Sequence, residues 1–440
     1  MKIGLVLLNE FFATSGKSWI QRQRKGAYAP TTLITLASLI PEEVDADVVL
    51  IDEFVDVLNP ETLDVDLVGL SFTTPNAHRA YYLSCIFKQR GITVVFGGYH
   101  TTLLPSEATK YADACVLGYA ETSWPNLLRD YQRGKLQKVY TSWWADSYRT
   151  MKINTHHLIK RNKYILPDSV EFSRSCVNHC SFCVIPQVFG HQQVFRSIDV
   201  LVEEIMELDA RNLVFLDSSP FEDLEMAWRL SEALMPLGIR WHSSITLKLM
   251  NEEKLIKNLS RSGCRSVLVG FESLNQAAIN QSGKNFNKVQ DYRRFIQLLH
   301  YNHISVLGSF MYGFDVDGPD IFQRTADFIN TCHIDLVHHA VLTPFPGSTE
   351  FKRLDEEGRI LSRDWSLYDS MHVVFEPAGM SSAQLQKGYW NAYKRTHSLR
   401  AIFSRMAHSP NVNFLNIGGN LAFRALGIIG MRKGKKGVHE

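Results

Sequence analysis

The stretch SRSCVNHCSFCVIP, residues 173–186, places Cys176, Cys180 and Cys183 within eight positions. A closed zinc site takes four ligands and usually draws them from two separated pairs, whereas this is one tight trio. His179 and His191 are the nearest residues that would complete a zinc set, and spacing alone leaves that reading open. A cube of four irons has four metal corners, so three thiolates leave one iron with a free coordination position. Such a vacancy suits a cluster that must bind something. The apolar residues before the trio read as a strand. The cysteines therefore fall just past a strand end, where barrels of alternating strands and helices gather their chemistry.

Working outward, six strand-like runs follow one another: SVEFSRSC, NLVFLDS, IRWHSSIT, SVLVGFES, ISVLGSFMYGF and DLVHHAVLTPFP. Helical stretches such as NEEKLIKNLSRSG separate them. Six strand–helix units over residues 169–350 specify a partial (β/α)6 barrel, short of the usual eight and open on one side. Residues 1–140 alternate in the same manner, with KIGLVLL, DADVVLID, DLVGLSF, ITVVFGG and ACVLG as strands and AHRAYYLSCIFKQR as a helix. Continuous apolar strands imply a parallel sheet covered on both faces, the doubly wound, Rossmann-like arrangement, whose ligands sit beyond the carboxyl ends of the strands. Those ends read Ser71, Gly97-Gly98 and Gly118. Residues 141–168 read as a polar connector, and residues 351–440 as mostly helical, anchored by Trp365, Tyr368 and Trp390. The expected fold class is α/β: a doubly wound domain, a partial barrel and a helical C-terminal domain.

At 440 residues the chain is too long for one core, and 45% hydrophobic with 21% charged residues describes an ordinary globular protein. A net charge of +2 gives no argument for a nucleic-acid partner. Cations gather only at the end, where Arg424, Arg432, Lys433, Lys435 and Lys436 meet the single acid Glu440. No eighteen apolar residues run together, so no spanning helix is expected. The expected location is the cytoplasm, with peripheral membrane contact through the basic C-terminus. Seven cysteines, an odd count with three crowded together, suit a metal site better than a disulfide frame. Cys85, Cys115, Cys264 and Cys332 read as buried small hydrophobes.

The C-x3-C-x2-C pattern, with Phe182 just before its last cysteine, resembles the signature of radical S-adenosylmethionine (radical SAM) enzymes. The resemblance implies a [4Fe–4S] cluster on Cys176, Cys180 and Cys183, whose open iron chelates S-adenosylmethionine. One electron, from a donor such as flavodoxin or ferredoxin, then splits that compound to a 5′-deoxyadenosyl radical. It also implies S-adenosylmethionine contacts at Phe182, Asp217, Ser218, Ser244, Glu272 and Gly313, although many relatives carry two acids where Asp217 stands alone.

Residues 66–121, from DLVGLSFTT to the turn GYAE, are similar to the cobalamin-binding domain that many such enzymes carry, which implies contacts at Ser71, Thr73, Gly97, Gly98 and Gly118. The D-x-H-x-x-G motif of cobalamin mutases is absent; LLNEFFATSGKSW stands there, so cobalamin is expected without a protein histidine ligand. A sheet used only for docking is the competing reading. Residues 343–369 resemble the branch that includes hopanoid methylases. The function so implied is methyl transfer to an unactivated carbon of a small-molecule or lipid-like substrate. Oxidative cyclisation or ring rearrangement, and a cobalamin or iron–sulfur sensor, are the alternatives. Of His338 and His339, alternation along a strand lets at most one face inward toward substrate.

Overall fold

Short, nearly continuous apolar runs, buried at consecutive positions, build the first sheet. In a computed structural model, which describes residues 1–9, 25–143, 146–411 and 414–434, these are β1 (Lys2–Leu7), β2 (Asp47–Asp52), β3 (Leu67–Ser71), β4 (Thr93–Gly97), β5 (Ala114–Gly118) and β6 (Val139–Ser142). All neighbours are parallel, in the order β2-β1-β3-β4-β5-β6. Ile3, Leu5, Leu67 and Val95 enter the core on one face; Val6, Val68, Leu70 and Phe96 enter the core on the other. Both faces are thus dry, as the unbroken apolar runs require. The order reverses between β1 and β3, which opens a crevice beyond the carboxyl ends of those strands. Strand β6 lies at the edge of the stretch expected to be only connector; four residues give too short a run for its alternation to register.

The second sheet comprises β7 (Ser169–Val170), β8 (Asn212–Phe215), β9 (Arg240–Ile245), β10 (Cys264–Glu272), β11 (Ser305–Tyr312) and β12 (Leu336–Val341). They lie side by side in chain order, all parallel, and β7 does not pair with β12, so the barrel has six strands and stays open. Trp241, Val267, Val269, Phe310 and Tyr312 face outward into a core shared with the surrounding helices. The alternate residues, among them Ser244, Leu268, Ser309 and His338, are less buried and face the interior. Strand β7 is shorter than SVEFSRSC suggested. After Val170 the chain leaves the barrel, and Ser173–Arg174 pairs antiparallel with Val194–Phe195, forming a ladder that brackets the cysteine loop.

After the barrel the chain clasps both sheets. Trp365, Tyr368 and Val374 belong to the core that holds Phe72 and Phe96, and the Trp365 indole donates to Glu107 at 3.0 Å. Leu385, Tyr389 and Tyr393, on the helix Ser382–Thr396, belong to the barrel core instead. A capping box of Ser381 and Gln384 starts that helix. Helices Leu399–Met406 and Phe414–Gly434 follow. Among the described residues no helix is long and apolar enough to cross a membrane. Cys115, Cys264 and Cys332 are buried as expected, but Cys85 is exposed: on the helix Ala77–Gln89 it falls opposite Ala80, Leu83 and Phe87, which face the core.

Candidate functional site

A cavity of about 350 Å³ lies between the carboxyl ends of the first sheet and the approach to the cysteine loop. Ser71, Thr73, Gly97, Gly98 and Gly118 line one side; Arg174, Ser175, Asp217 and Ser218 line the other. The glycines have different reasons to be glycine. A Cβ on Gly97 would meet nothing within 4 Å, because it would project into open space. Gly98 has φ +91°, and its Cβ would come within 2.7 Å of the Phe72 carbonyl oxygen, so the turn itself demands glycine. Gly118, at φ +70°, is pressed against the Ser142 carbonyl at the end of β6. Open space therefore adjoins Gly97, whereas the lack of a side chain at Gly98 and Gly118 serves the backbone. Thr102 ties the ends together, accepting from the Gly118 N–H and donating to the Gly98 carbonyl, each at 3.1 Å. Ser71 is buried, whereas Thr73 is exposed and accepts from Asn76 at 3.2 Å.

The cysteine loop starts at Ser175, a buried non-glycine residue at φ +70° whose hydroxyl donates to the Gly190 carbonyl. The loop is braced from the far side of the barrel. The Ser181 N–H donates to the Ser282 carbonyl and its carbonyl accepts from the Glu350 N–H, both at 2.9 Å. Gly283, at φ +76°, lets the His179 carbonyl approach to 2.8 Å of where a Cβ would stand. Phe182 packs edge-on against Phe314. All three thiols are free and partly exposed. Burial pushes the Cys180 thiol up to about 12 and raises that of Cys183, so protons stay on until a metal displaces them.

Lys284 opposes those shifts. Its ammonium bonds Glu272 at 2.6 Å and the Gly270 carbonyl at 2.9 Å. Burial disfavours its charge, but Glu272 and the thiols of Cys180 and Cys176 outweigh that and hold it protonated. Glu272 sits at φ +64° beyond a register shift in β10, and a side chain on Gly270 would collide with this ion pair. The pair places a fixed cation where thiolates would gather negative charge.

Among the described residues no three His, Cys, Asp or Glu side chains converge as a single metal ion requires. A cube asks for no common point, since each thiolate binds a different iron. His179 and His191 stack on one another with ring centroids 4.7 Å apart. The donor set fits a three-cysteine cluster.

Asp217 is buried and accepts from the Phe172 N–H at 3.1 Å and from the Ser173 hydroxyl at 2.8 Å, anchoring the segment that leads into the loop. Burial pushes its carboxyl up to about 7, with Glu171 adding to the rise and the hydrogen bonds opposing it. Ser244 donates to the carbonyls of Asp217 at 2.9 Å and Ser218 at 3.2 Å, so these three form one cluster on β9 and the end of β8. Gly313 stands apart. At φ +110°, its Cβ would lie 2.8 Å from Leu385, so it admits the helix Ser382–Thr396.

The two histidines of β12 divide. His338 faces the interior with Nδ1 3.3 Å from the Ser309 hydroxyl; His339 is buried outward between Tyr312 at 2.9 Å and Thr396 at 2.7 Å. Desolvation by the surrounding barrel wall lowers the His338 imidazole, and full burial, with His397 alongside, lowers that of His339 well below its usual range.

Sequence reasoning missed Arg174. Its guanidinium pairs with Glu171 at 2.7 Å and with Glu121 from the first half, and lies 4.6 Å from the Tyr148 ring centroid. Neither it nor Lys284 carries a local signal, since their partners are set by the fold.

Residues 170–329 match the Radical SAM superfamily. The bacteriochlorophyllide d C-12(1)-methyltransferase of Chlorobaculum tepidum is 30% identical over 91% of this chain and 93% of that protein. The hopanoid C-2 methylase of Rhodopseudomonas palustris is 22% identical over 54% of this chain and 47% of that protein. Among solved structures, the radical S-adenosylmethionine methyltransferase TsrM from Kitasatospora setae, with cobalamin and a [4Fe–4S] cluster bound, superposes with a TM-score of 0.65. That match covers 99% of both chains at 15% identity, so the whole architecture is shared.

Proposed function

Because this chain belongs to the radical SAM superfamily, and a methyltransferase matches 91% of its length, we propose that it is a cobalamin-dependent C-methyltransferase acting on an unactivated carbon. In this reading Cys176, Cys180 and Cys183 hold the cluster, with Ser71, Thr73, Gly97, Gly98 and Gly118 along the cobalamin. The carrying observation is that one cavity reaches from Ser71 and Gly97 to Ser175, next to Cys176, and to Asp217. When bound, the cluster and S-adenosylmethionine supply the radical that removes a hydrogen atom, and methylcobalamin supplies the methyl group. The chain's own share is positional. Gly97 leaves space at the strand ends, Lys284 balances charge at the thiolates, and neutral His338 offers Nε2 to substrate.

The segment that stands in place of D-x-H-x-x-G runs through residues 10–19, outside the described residues. That stretch, LLNEFFATSGKSW, contains no histidine to serve as a lower ligand. Radical SAM enzymes act on small molecules and need an electron donor; flavodoxin or ferredoxin, and a membrane-peripheral cytoplasmic location, belong to the proposal.

Anaerobic reconstitution with iron, sulfide and hydroxocobalamin is expected to give an iron–sulfur spectrum and 5′-deoxyadenosine from S-adenosylmethionine. With bacteriochlorophyllide d as first probe, a product heavier by one methyl group supports transfer, and loss of hydrogens without added carbon supports cyclisation. Protein that binds cobalamin yet forms no 5′-deoxyadenosine is a sensor, and the proposal fails.

The glycines supply a separate check. Gly97→Val is expected to weaken hydroxocobalamin retention about tenfold with the melting temperature kept within about 3 °C. Gly98→Val forces a glycine-only backbone conformation costing about 1–3 kcal/mol and drives its Cβ into the Phe72 carbonyl, so it lowers the melting temperature by several degrees or more. Unchanged retention in Gly97→Val removes cobalamin from the crevice.

A further inference from the structure

Between residues 377 and 439 the chain carries ten Lys or Arg and no Asp or Glu. In the same region the helix Phe414–Gly434 is covered on one side only. Asn416 and Asn420 are buried, Gly419 lies over Leu336 at the edge strand β12, and Gly430 lies over Trp390. The other side exposes Ile417, Leu421, Ala422, Ala425, Leu426 and Ile428, with no charged residue among them. At 100° per residue, Ile417, Leu421 and Ile428 fall within about 40° of one another, an apolar stripe edged by half-buried Arg424, whose guanidinium donates to the His397 carbonyl at 2.8 Å. Helix Leu399–Met406 adds Leu399 and Phe403, one turn apart, and Phe403 is 67% exposed beside exposed Arg400. An uncovered apolar surface of this kind marks a binding face.

We propose that this face, formed by the exposed sides of helices Phe414–Gly434 and Leu399–Met406, docks on an anionic lipid surface. The argument is charge complementarity. An apolar face flanked by cations is the pattern of a helix that lies in the membrane interface, and anionic headgroups draw such cations to the surface. Arg432, Lys433, Lys435 and Lys436 follow the stripe in sequence; their side chains lie outside the described residues. A second copy of the chain fits poorly as the occupant, because its own face would bring the same excess of positive charge. The inference rests on the membrane-peripheral location proposed above and gives it a face, but it does not depend on methyl transfer.

The test uses the full-length protein and sedimentation with vesicles. Binding is expected on equimolar phosphatidylglycerol and phosphatidylcholine, about tenfold weaker on phosphatidylcholine alone, and weakened by salt. Leu421→Glu and Phe403→Glu, both solvent-exposed changes, are expected to cut binding about tenfold while leaving the melting curve and S-adenosylmethionine cleavage unchanged. Absence of vesicle binding overturns the inference, as does binding that ignores both substitutions. So does a dimer, seen by light scattering without lipid, that Leu421→Glu dissociates, since it assigns the face to a second copy.

Discussion

Cys180→Ala, in protein reconstituted without air, is expected to lose the cluster's visible absorbance and to bring 5′-deoxyadenosine formation down to background. Cys176→Ala and Cys183→Ala should behave alike, because each thiolate serves one iron and three is the minimum that leaves a corner open. The loss is expected to be chemical and not a consequence of unfolding. The loop is held by backbone bonds from Ser181 to Ser282 and Glu350, by the Gly283 contact under His179, and by Phe182 against Phe314. None of these passes through a thiol. The apo-protein of each variant should therefore melt within about 3 °C of the apo wild type. Stoichiometric zinc bound by wild-type protein purified without air, with no iron uptake on reconstitution, would falsify the cluster assignment.

Much of this arrangement is legible in the sequence because burial has a period. The apolar runs from Asn212 to Val341 fall on strands within a residue or two at most ends, since an outward-facing core residue at every second position leaves a strong imprint. Where the chain turns by other means, the imprint vanishes. SVEFSRSC reads as one strand, yet it breaks after Val170, and the bend that aims the cysteines uses Ser175 at positive φ, which no glycine announces. Gly97 and Gly98 look equivalent as letters; only the neighbouring Phe72 backbone separates a residue needed by the turn from one that leaves a ligand room. Alternation on β12 dictates that His338 and His339 face opposite ways, but which one faces inward follows from the register with Ser309 and Phe310. Trp365 and Tyr368 are recognisable as anchors, but the core they enter belongs to a sheet far away in sequence.

Arg174 shows what the fold adds, and its removal should be the most damaging change that spares every cofactor ligand. The side chain is largely buried two residues before Cys176, where it joins Glu171 of the barrel approach to Glu121, at the start of the helix that follows β5. Burial opposes its charge, but the two carboxylates outweigh that and hold its pKa well above the ordinary arginine range. Arg174→Met leaves Glu121 without a countercharge in a fully buried position, where its second oxygen already lacks a hydrogen bond. Breaking one side of a buried pair typically costs about 3–5 kcal/mol, so the melting temperature should fall by many degrees. The crevice wall should loosen with it, and hydroxocobalamin retention should drop. Arg174→Lys keeps the charge but loses the planar fork that grips two carboxylates, so it should fall between. Adding Glu121→Gln to Arg174→Met should restore part of the stability, because the stranded charge is then gone. If Arg174→Met melts like the wild type, or if Glu121→Gln makes it worse, the ion pair does not join the two halves, and the alignment of crevice and cysteine loop must come from the clasp of Trp365 and Tyr368 alone.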